Sequence, residues 1–472
     1  MGSRTSGWTG LLAGALCAGV GSGAQAFDTA AADRALRLAQ QQLARTDALI
    51  PADQTPKATT GGSWTRVSYL DPTAWTQGFF PGELWYLYEA TGDSTWRTKA
   101  DARTRKLEVQ KTNTQTHDLG FKFIPSFGHA YRLTGDVYYK NVLLTAAGSL
   151  ASRYDPKVNA IHCCAWNPDW HLPVVIDTMM NLELLFWGAE NGGQAAWKDM
   201  ALNHALRTLR DLVRADGSTF HVADYDASTG ALLSQSTFQG AANSSTWTRG
   251  QAWAIYGFTL SYRYTRDPRM LEAARRTADS YLSRLSEDAV PLWDFDAPPG
   301  RSDKDSSAAA ATASALLELS TFVSEPARRQ YRDAALQMLD ALTSPAFLAS
   351  GDAASPSLLL HGVGHHVAGQ EVDVGLIYGD YYFLEALLRF KQQSSPPPRP
   401  QPPLEEEETP PLVGRPEEAR GGCAAVPGLG AWGLLLWLFL PSRRRQYEVL
   451  GSAHAPASPG HRQRRRPGAR HE

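Results

Sequence analysis

The feature that most limits how this chain can fold is the alternation, between Phe27 and Gln393, of two unlike kinds of helix. One kind is amphipathic, with apolar residues three and four apart: Ala35, Ala39 and Leu43; Trp96, Ala100 and Leu107; Tyr139, Leu143 and Ala147; Trp197, Ala201 and Ala205; Leu271, Ala274 and Ala278; Tyr331, Ala335 and Met338. Such a stripe buries one side of a helix and leaves the other to water. The second kind is apolar nearly all round: "GFFPGELWYLYEA", "FKFIPSFGHAYRL", "VVIDTMMNLELLFW", "TRGQAWAIYGFTLSY", "SSAAAATASALLELS" and "LIYGDYYFLEALLRF". A helix without a polar face has to be covered on every side. Six of each kind, joined by turns such as "TGD" at 91–93 and 134–136, "NGG" at 191–193 and "RDP" at 266–268, predict two concentric layers. The expected fold is therefore all-α, an (α/α)6 toroid forming a single domain over residues 27–393. Strands are expected in one place, the long insertion from Asp216 to Ser245.

The ends read differently. Arg4, the run "LLAGALCAGVGSG" and Ala24-Gln25-Ala26 have the order of an export signal, so residues 1–26 are expected to be removed. From Ser394 the composition turns to "SSPPPRPQPPLEEEETPP", an extended linker over 394–420 that has no means of burying a core. Gly421-Gly422-Cys423, the apolar "AAVPGLGAWGLLLWLFL" and Arg443-Arg444-Arg445 follow, and a basic tail occupies 446–472. The order over 421–445 resembles the C-terminal sorting tails of surface proteins in myxobacteria and related Gram-negative bacteria. The expectation is export to the periplasm or cell surface of a Gram-negative bacterium, with membrane anchoring through that segment; the apolar run is marginal in length for a bilayer. Cys163 and Cys164 are adjacent, and because a bridge between neighbours is strained they are expected as two buried thiols. A formal charge of −2 supplies no basic field, which excludes nucleic acid as a partner.

Polar residues gather just before or at the start of the all-apolar helices: Trp75, Gln77, His117, Asp118, Asp177, Arg249, Gln251 and Asp305. In a toroid the inner-helix N-termini open at one end, so these side chains converge on a funnel whose helix dipoles favour a small acid. Asp177 and Asn181 are four apart, as are Arg249 and Trp253, so each pair shares a helix face. Trp75, Trp166, Trp170, Trp247 and Trp253 near the mouths suit the flat faces of sugar rings, which makes carbohydrate the expected ligand class. Asp118 and Asp305 also fit plain helix caps, and Arg249 also fits a structural ion pair. Asp177 stands apart. If Val174 or Val175 is already helical, its carboxyl lies past the cap, between "VVI" and "MM", and apolar walls raise an aspartate above its usual value of about 3.9. His361, His365 and His366 lack the acidic neighbours of a zinc site and read as loop residues.

In register along residues 30–391 stand "WTQGFFPGELWYLYEATGD", "THDLGF", "VIDTMMNLELL", "DGSTFHVADYD", "WTRGQAWAIYGF", "WDFDAP", "DSSAAA" and "VDVGLIYGDYYFLEALLR". Together they resemble the unsaturated glucuronyl hydrolases of glycoside hydrolase family 88. The unsaturated rhamnogalacturonyl hydrolases of family 105 share parts of the pattern, with "THDLGF" and "DGSTFHVADYD" closer to the glucuronyl enzymes. The resemblance implies a hydrolase that hydrates the vinyl ether of a 4,5-unsaturated uronic acid at the non-reducing end of lyase-generated oligosaccharides. It implies Asp177 as general acid/base and Asp118 as a second essential carboxylate. Arg249, Trp253, His221 and Gln239 are implied to hold the unsaturated sugar, with Trp75, His117, Thr237 and Trp166 as further contacts. No metal and no organic cofactor are implied.

Overall fold

The structure, a computed structural model, describes residues 27–350 and 355–394. The export, linker, anchor and tail readings fall on 1–26 and beyond 394, outside the described residues. Among the described residues no helix is long and apolar enough to cross a membrane.

The outer layer is α1 (Thr29–Leu49), α3 (Ser94–Lys106), α6 (Val137–Ala151), α8 (Ala196–Asp211), α10 (Pro268–Arg284) and α12 (Ala327–Leu342). The inner layer is α2 (Phe79–Thr91), α4 (Leu119–Phe123) with α5 (His129–Thr134), α7 (Thr178–Glu190), α9 (Thr248–Thr265), α11 (Ser306–Ser320) and α13 (Ile377–Ser394). The turns work as the sequence suggests. Gly92 and Gly135 end α2 and α5 in the left-handed conformation, and the next residue in each case, Asp93 and Asp136, caps the following helix through its carboxylate. The second inner helix departs from expectation. It is broken into α4 and α5 by a π-type turn over Ile124–Gly128, where Pro125 removes a backbone donor from the helical ladder.

Inner helices pack where side chains are smallest. A Cβ on Gly120 of α4 would lie 2.3 Å from the Cα of Asn181 on α7, and one on Gly257 of α9 would lie 2.4 Å from the Cβ of Met179. The bare backbone of Gly120 is what lets Asn181 Oδ1 accept the N–H of Phe121 at 2.8 Å, locking the start of α4, with Asp118 just ahead of it, against α7. Gly120→Ala should therefore force the two helices apart, at a cost of about 1–3 kcal/mol for overpacking. The expected result is a lower melting temperature together with reduced turnover; a variant that melts with the parent would show that the contact has slack.

Strands are more numerous than expected. Gln54–Thr60 (β1) and Ser63–Ser68 (β2) form an antiparallel hairpin, with Thr60 opposite Ser63 across Gly61-Gly62, both at positive φ. Tyr154–Asp155 (β3) and Ala160–Ile161 (β4) make a short pair. Pro173–Val175 (β5), Val222–Tyr225 (β6) and Leu232–Ser236 (β7) form an antiparallel sheet in that order, of which only β6 and β7 lie in the insertion expected to hold strands. Val174 and Val175 are thus extended, not helical, and pair with Ala223 and Val222. Cys163 and Cys164 correct the expectation of two thiols: they are bonded to each other. The backbone between β4 and β5 is pinned at Cys163, whose N–H donates to Pro173 O at 2.9 Å and whose carbonyl accepts Arg153 Nη2 at 2.7 Å.

Candidate active site

The sheet β5–β6–β7 creates the centre of the site. β5 runs straight into Ile176, whose N–H donates to His221 O at 3.0 Å, so the residue after Ile176 and the residue before β6 meet. Those residues are Asp177 and His221. Asp177 stands at the N-cap position of α7 with a helical backbone, and its side chain makes no capping bond. It is not past the cap, yet it does not cap. The side chain is 14% exposed, and His221 Nε2 lies 3.3 Å from its Oδ2, close but poorly aligned for a full hydrogen bond. His221 Nδ1 accepts from the N–H groups of Phe238 (3.2 Å) and Gln239 (3.3 Å), which places the proton of the neutral ring on Nε2, toward Asp177. Trp247 lies beneath the imidazole, centroids 4.6 Å apart.

Asp118 precedes α4 and is held by Thr116, whose Oγ1 donates to Asp118 Oδ2 at 2.8 Å and accepts the Asp118 N–H at 3.1 Å. His117 Nε2 is 3.2 Å from Asp118 Oδ1, and neither of its ring nitrogens finds an aligned partner. Both carboxylates open into one cavity of about 220 Å³, lined also by Trp75, His117, Trp166, Gln239, Trp247, Arg249 and Tyr378. A larger cavity of about 500 Å³ lies among the C-terminal halves of the inner helices. The smaller one is the candidate site, because it alone joins Asp118, Asp177 and the histidines at the inner-helix mouths.

Seven of the ten residues expected at the site line this cavity: Asp177, Asp118, Arg249, Gln239, His117, Trp75 and Trp166. His221 is behind Asp177. Thr237 accepts the Gly240 N–H at 2.7 Å and supports the loop beneath His221 without lining the cavity. Trp253, though one turn from Arg249, is 1% exposed and packs between Phe121 and Tyr382, so the shared face of α9 meets the cavity at Arg249 and has turned into the core by Trp253. Gln77 and Gln251 are also structural, their amides donating to Ser68 O and Asp71 O, and to Gly217 O and Thr277 O. Asp305 caps α11 through the Ser307 N–H and pairs with Arg249 at 2.8 Å. Arg249 gives Nη1 to Asp305 and to Val363 O, and Nη2 to Gly364 O, so most of its donors are committed to protein.

The apolar-wall expectation for Asp177 is also corrected. Burial does push its carboxyl up, but His221 beside it, with His117 and Arg249, outweighs burial and holds the group below the ordinary aspartate value. Sequence reasoning missed the wall opposite. Gly364, His365, Gln370 and Glu371 line the cavity with Lys57 from β1, which pairs with Glu371 at 2.5 Å; His365 Nε2 donates to Phe238 O at 2.9 Å, and Gln239 Nε2 to Gly364 O at 2.9 Å. The three histidines of "HGVGHH" were the available signal, and their partners are far away in sequence. Among the described residues no group of three His, Cys, Asp or Glu is placed to hold a metal ion.

Two carboxylates and a rim of tryptophans at the inner-helix mouths of an (α/α)6 toroid define a glycoside hydrolase by class. The chain belongs to Glycosyl Hydrolase Family 88, which its residues 50–351 match. It is 44% identical to an unsaturated glucuronyl hydrolase of Formosa agariphila over 67% of this chain and 79% of that one. Its fold matches the crystal structure of an unsaturated glucuronyl hydrolase specific for heparin, with TM-score 0.75 and 37% identity over 78% of this chain and 98% of the other. A variant of the Streptococcus agalactiae unsaturated glucuronyl hydrolase, solved with dGlcA-GalNAc6S bound, is similar at TM-score 0.66 and 31% identity, covering 78% of this chain and 93% of that one.

Proposed function

We propose that the chain releases a 4,5-unsaturated glucuronic acid from the non-reducing end of lyase-generated, glycosaminoglycan-type oligosaccharides by hydrating its double bond. The observation that carries this reading is Asp177: a carboxyl at a helix start that caps nothing, in a sugar-sized cavity, with His221 Nε2 3.3 Å from it. The unsaturated glucuronyl hydrolases among its relatives, and the dGlcA disaccharide bound in one of them, support the substrate class.

The step balances with water as the only co-reactant. The Asp177 carboxyl gives its proton to C4 as the C4–C5 double bond is consumed. Water adds at C5 and loses a proton to the Asp177 carboxylate, which restores the acid. The resulting hemiketal opens by breaking the bond between C5 and the ring oxygen, leaving C1 as a hemiacetal that expels the remaining sugar as an alcohol. Attack is not at the anomeric carbon, so the carboxylate spacing rule for retaining and inverting enzymes does not apply. Asp118, tied to Thr116, positions the sugar hydroxyls; Trp75 and Trp166 flank the ring. Export of the chain, drawn from its first residues, belongs to the same proposal and places the enzyme where lyase products arise.

The proton on Asp177 comes with the substrate. Without ligand the neighbouring histidines and Arg249 favour the carboxylate; the uronate brings a negative charge into the cavity, which opposes ionisation and moves the group up. In free enzyme the acid form is lost as pH rises through the lowered value, so kcat/KM should fall by about tenfold per pH unit above the usual carboxylate range. In the complex the form persists further, so kcat should break at a higher pH than kcat/KM. The test is loss of the alkene ultraviolet absorbance, followed across pH with unsaturated chondroitin, heparin and rhamnogalacturonan disaccharides. Turnover of the rhamnogalacturonan product alone, or rates that climb into alkaline pH, would contradict the proposal.

A further inference from the structure

The larger cavity, about 500 Å³, lies at the opposite end of the toroid from Asp177. Its walls come mostly from the C-terminal halves of inner helices, Glu89 of α2, Arg132 of α5, Trp187 of α7, Arg263 of α9 and Arg389 of α13, with Glu183 from the middle of α7 and Phe121 and Met180 at its floor. One layer of aromatic rings closes it off from the candidate active site. Phe121 lines both cavities, Trp253 packs against it at 5.4 Å, and Tyr382 against Trp253 at 5.4 Å.

Of the charged groups that line it, three arginines (Arg132, Arg263 and Arg389) face three glutamates (Glu89, Glu183 and Glu385), and Glu318 behind them adds a fourth carboxylate. Arg132 holds Glu89 through two bonds (2.8 and 2.6 Å), Arg263 joins Glu183 to Glu318 (2.6 and 2.7 Å), and Arg389 joins Glu318 to Glu385 (3.0 and 3.4 Å). An anionic ligand would therefore meet no uncompensated cation. A ligand whose groups both donate and accept would find partners: hydroxyls can give to the carboxylates and accept from the guanidinium N–H groups. At the rim the half-buried rings of Tyr131 and Trp187 stand 5.6 Å apart and perpendicular, offering two flat apolar faces beside those polar groups. A charge network that served only to hold the helix ends together would need no cavity, and protein interiors are otherwise close-packed. This one keeps open a volume within the range of ligand sites, roughly 300–1,000 Å³.

We infer that this end of the toroid is a second, non-catalytic carbohydrate site for an uncharged pyranoside of one or two rings, stacked on Trp187 or Tyr131 and hydrogen-bonded by the Arg132–Glu89 pair. It is independent of the reaction assigned to the opposite cavity, and its test uses saturated, uncharged sugars that no hydration chemistry can consume. Cellobiose and N-acetylglucosamine are titrated into the full chain, with binding read by saturation-transfer NMR and calorimetry. Both parent and Asp177→Asn should bind one of them saturably and alike. Trp187→Leu and Arg132→Gln should each weaken binding by about tenfold or more while turnover of an unsaturated disaccharide is retained. No saturable binding of either sugar, binding lost in Asp177→Asn, or binding untouched by both rear-cavity variants would overturn the inference.

Discussion

Asp177→Asn is expected to lower kcat by roughly 10²–10⁴-fold, the range that a positioned general acid supplies, while leaving the fold intact. Two features separate those effects. The side chain makes no capping bond to α7, so the helix start does not depend on it. Its neighbour His221, with Nε2 at 3.3 Å, is not in an aligned hydrogen bond that the substitution would break. An amide keeps the shape and the acceptor oxygen but has no proton to give to C4 at any working pH. Turnover of an unsaturated disaccharide and thermal melting, measured on the same preparation, decide the matter. If the Asn variant keeps a rate within a few-fold of the parent, Asp177 does not deliver the proton. If it melts far below the parent, the residue has a structural role that the hydrogen-bond pattern does not show.

The toroid was legible because its signal is local and repeated. Every outer stripe recurs at helical spacing, and "TGD" supplies a left-handed Gly and a capping Asp in adjacent positions, so periodicity and capping agree on where each helix begins and ends. The β1–β2 hairpin was missed although Gly61-Gly62 is a hairpin signal, because its strands carry Pro56, Lys57 and Arg66 and show little apolar alternation. Asp177 and Asp118 were legible as carboxylates at inner-helix mouths. What sequence spacing could not carry was partnership across the chain. His221 reaches Asp177 only through the pairing of β5 with β6, and the lowered carboxyl value follows from that long-range contact, not from the valines and methionines flanking Asp177. In the same way, four-residue spacing put Trp253 with Arg249 on one face without saying which way that face points.

Arg249 shows the consequence most sharply, because the residue expected to grip the substrate carboxylate is also the clasp of the cavity wall. It is 2% exposed and its partner Asp305 is fully buried. Its guanidinium joins α9 to the cap of α11 and to the carbonyls of Val363 and Gly364, and Gly364 O also receives the amide of Gln239. Arg249→Met keeps most of the stem's packing but strands the Asp305 carboxylate, which would retain Ser307 N–H (3.1 Å) and Oγ (2.6 Å) and Val363 N–H (3.3 Å) and lose the one cation paired with it among the described residues. Breaking a buried pair from one side costs about 3–5 kcal/mol, so a large fall in melting temperature is expected. The wall carrying Gly364 and His365 loosens with it, so KM should rise by more than kcat falls. In the double variant Arg249→Met/Asp305→Asn the stranded charge is gone, and part of the melting temperature should return; KM should not, since the Val363 carbonyl remains without its donor and the Gly364 carbonyl keeps only the Gln239 amide. A double-mutant cycle on stability reads the coupling directly. Additive losses would mean that the pair is not what holds the wall, and an Arg249→Met protein as stable as the parent would return Arg249 to the role of a free substrate-binding cation.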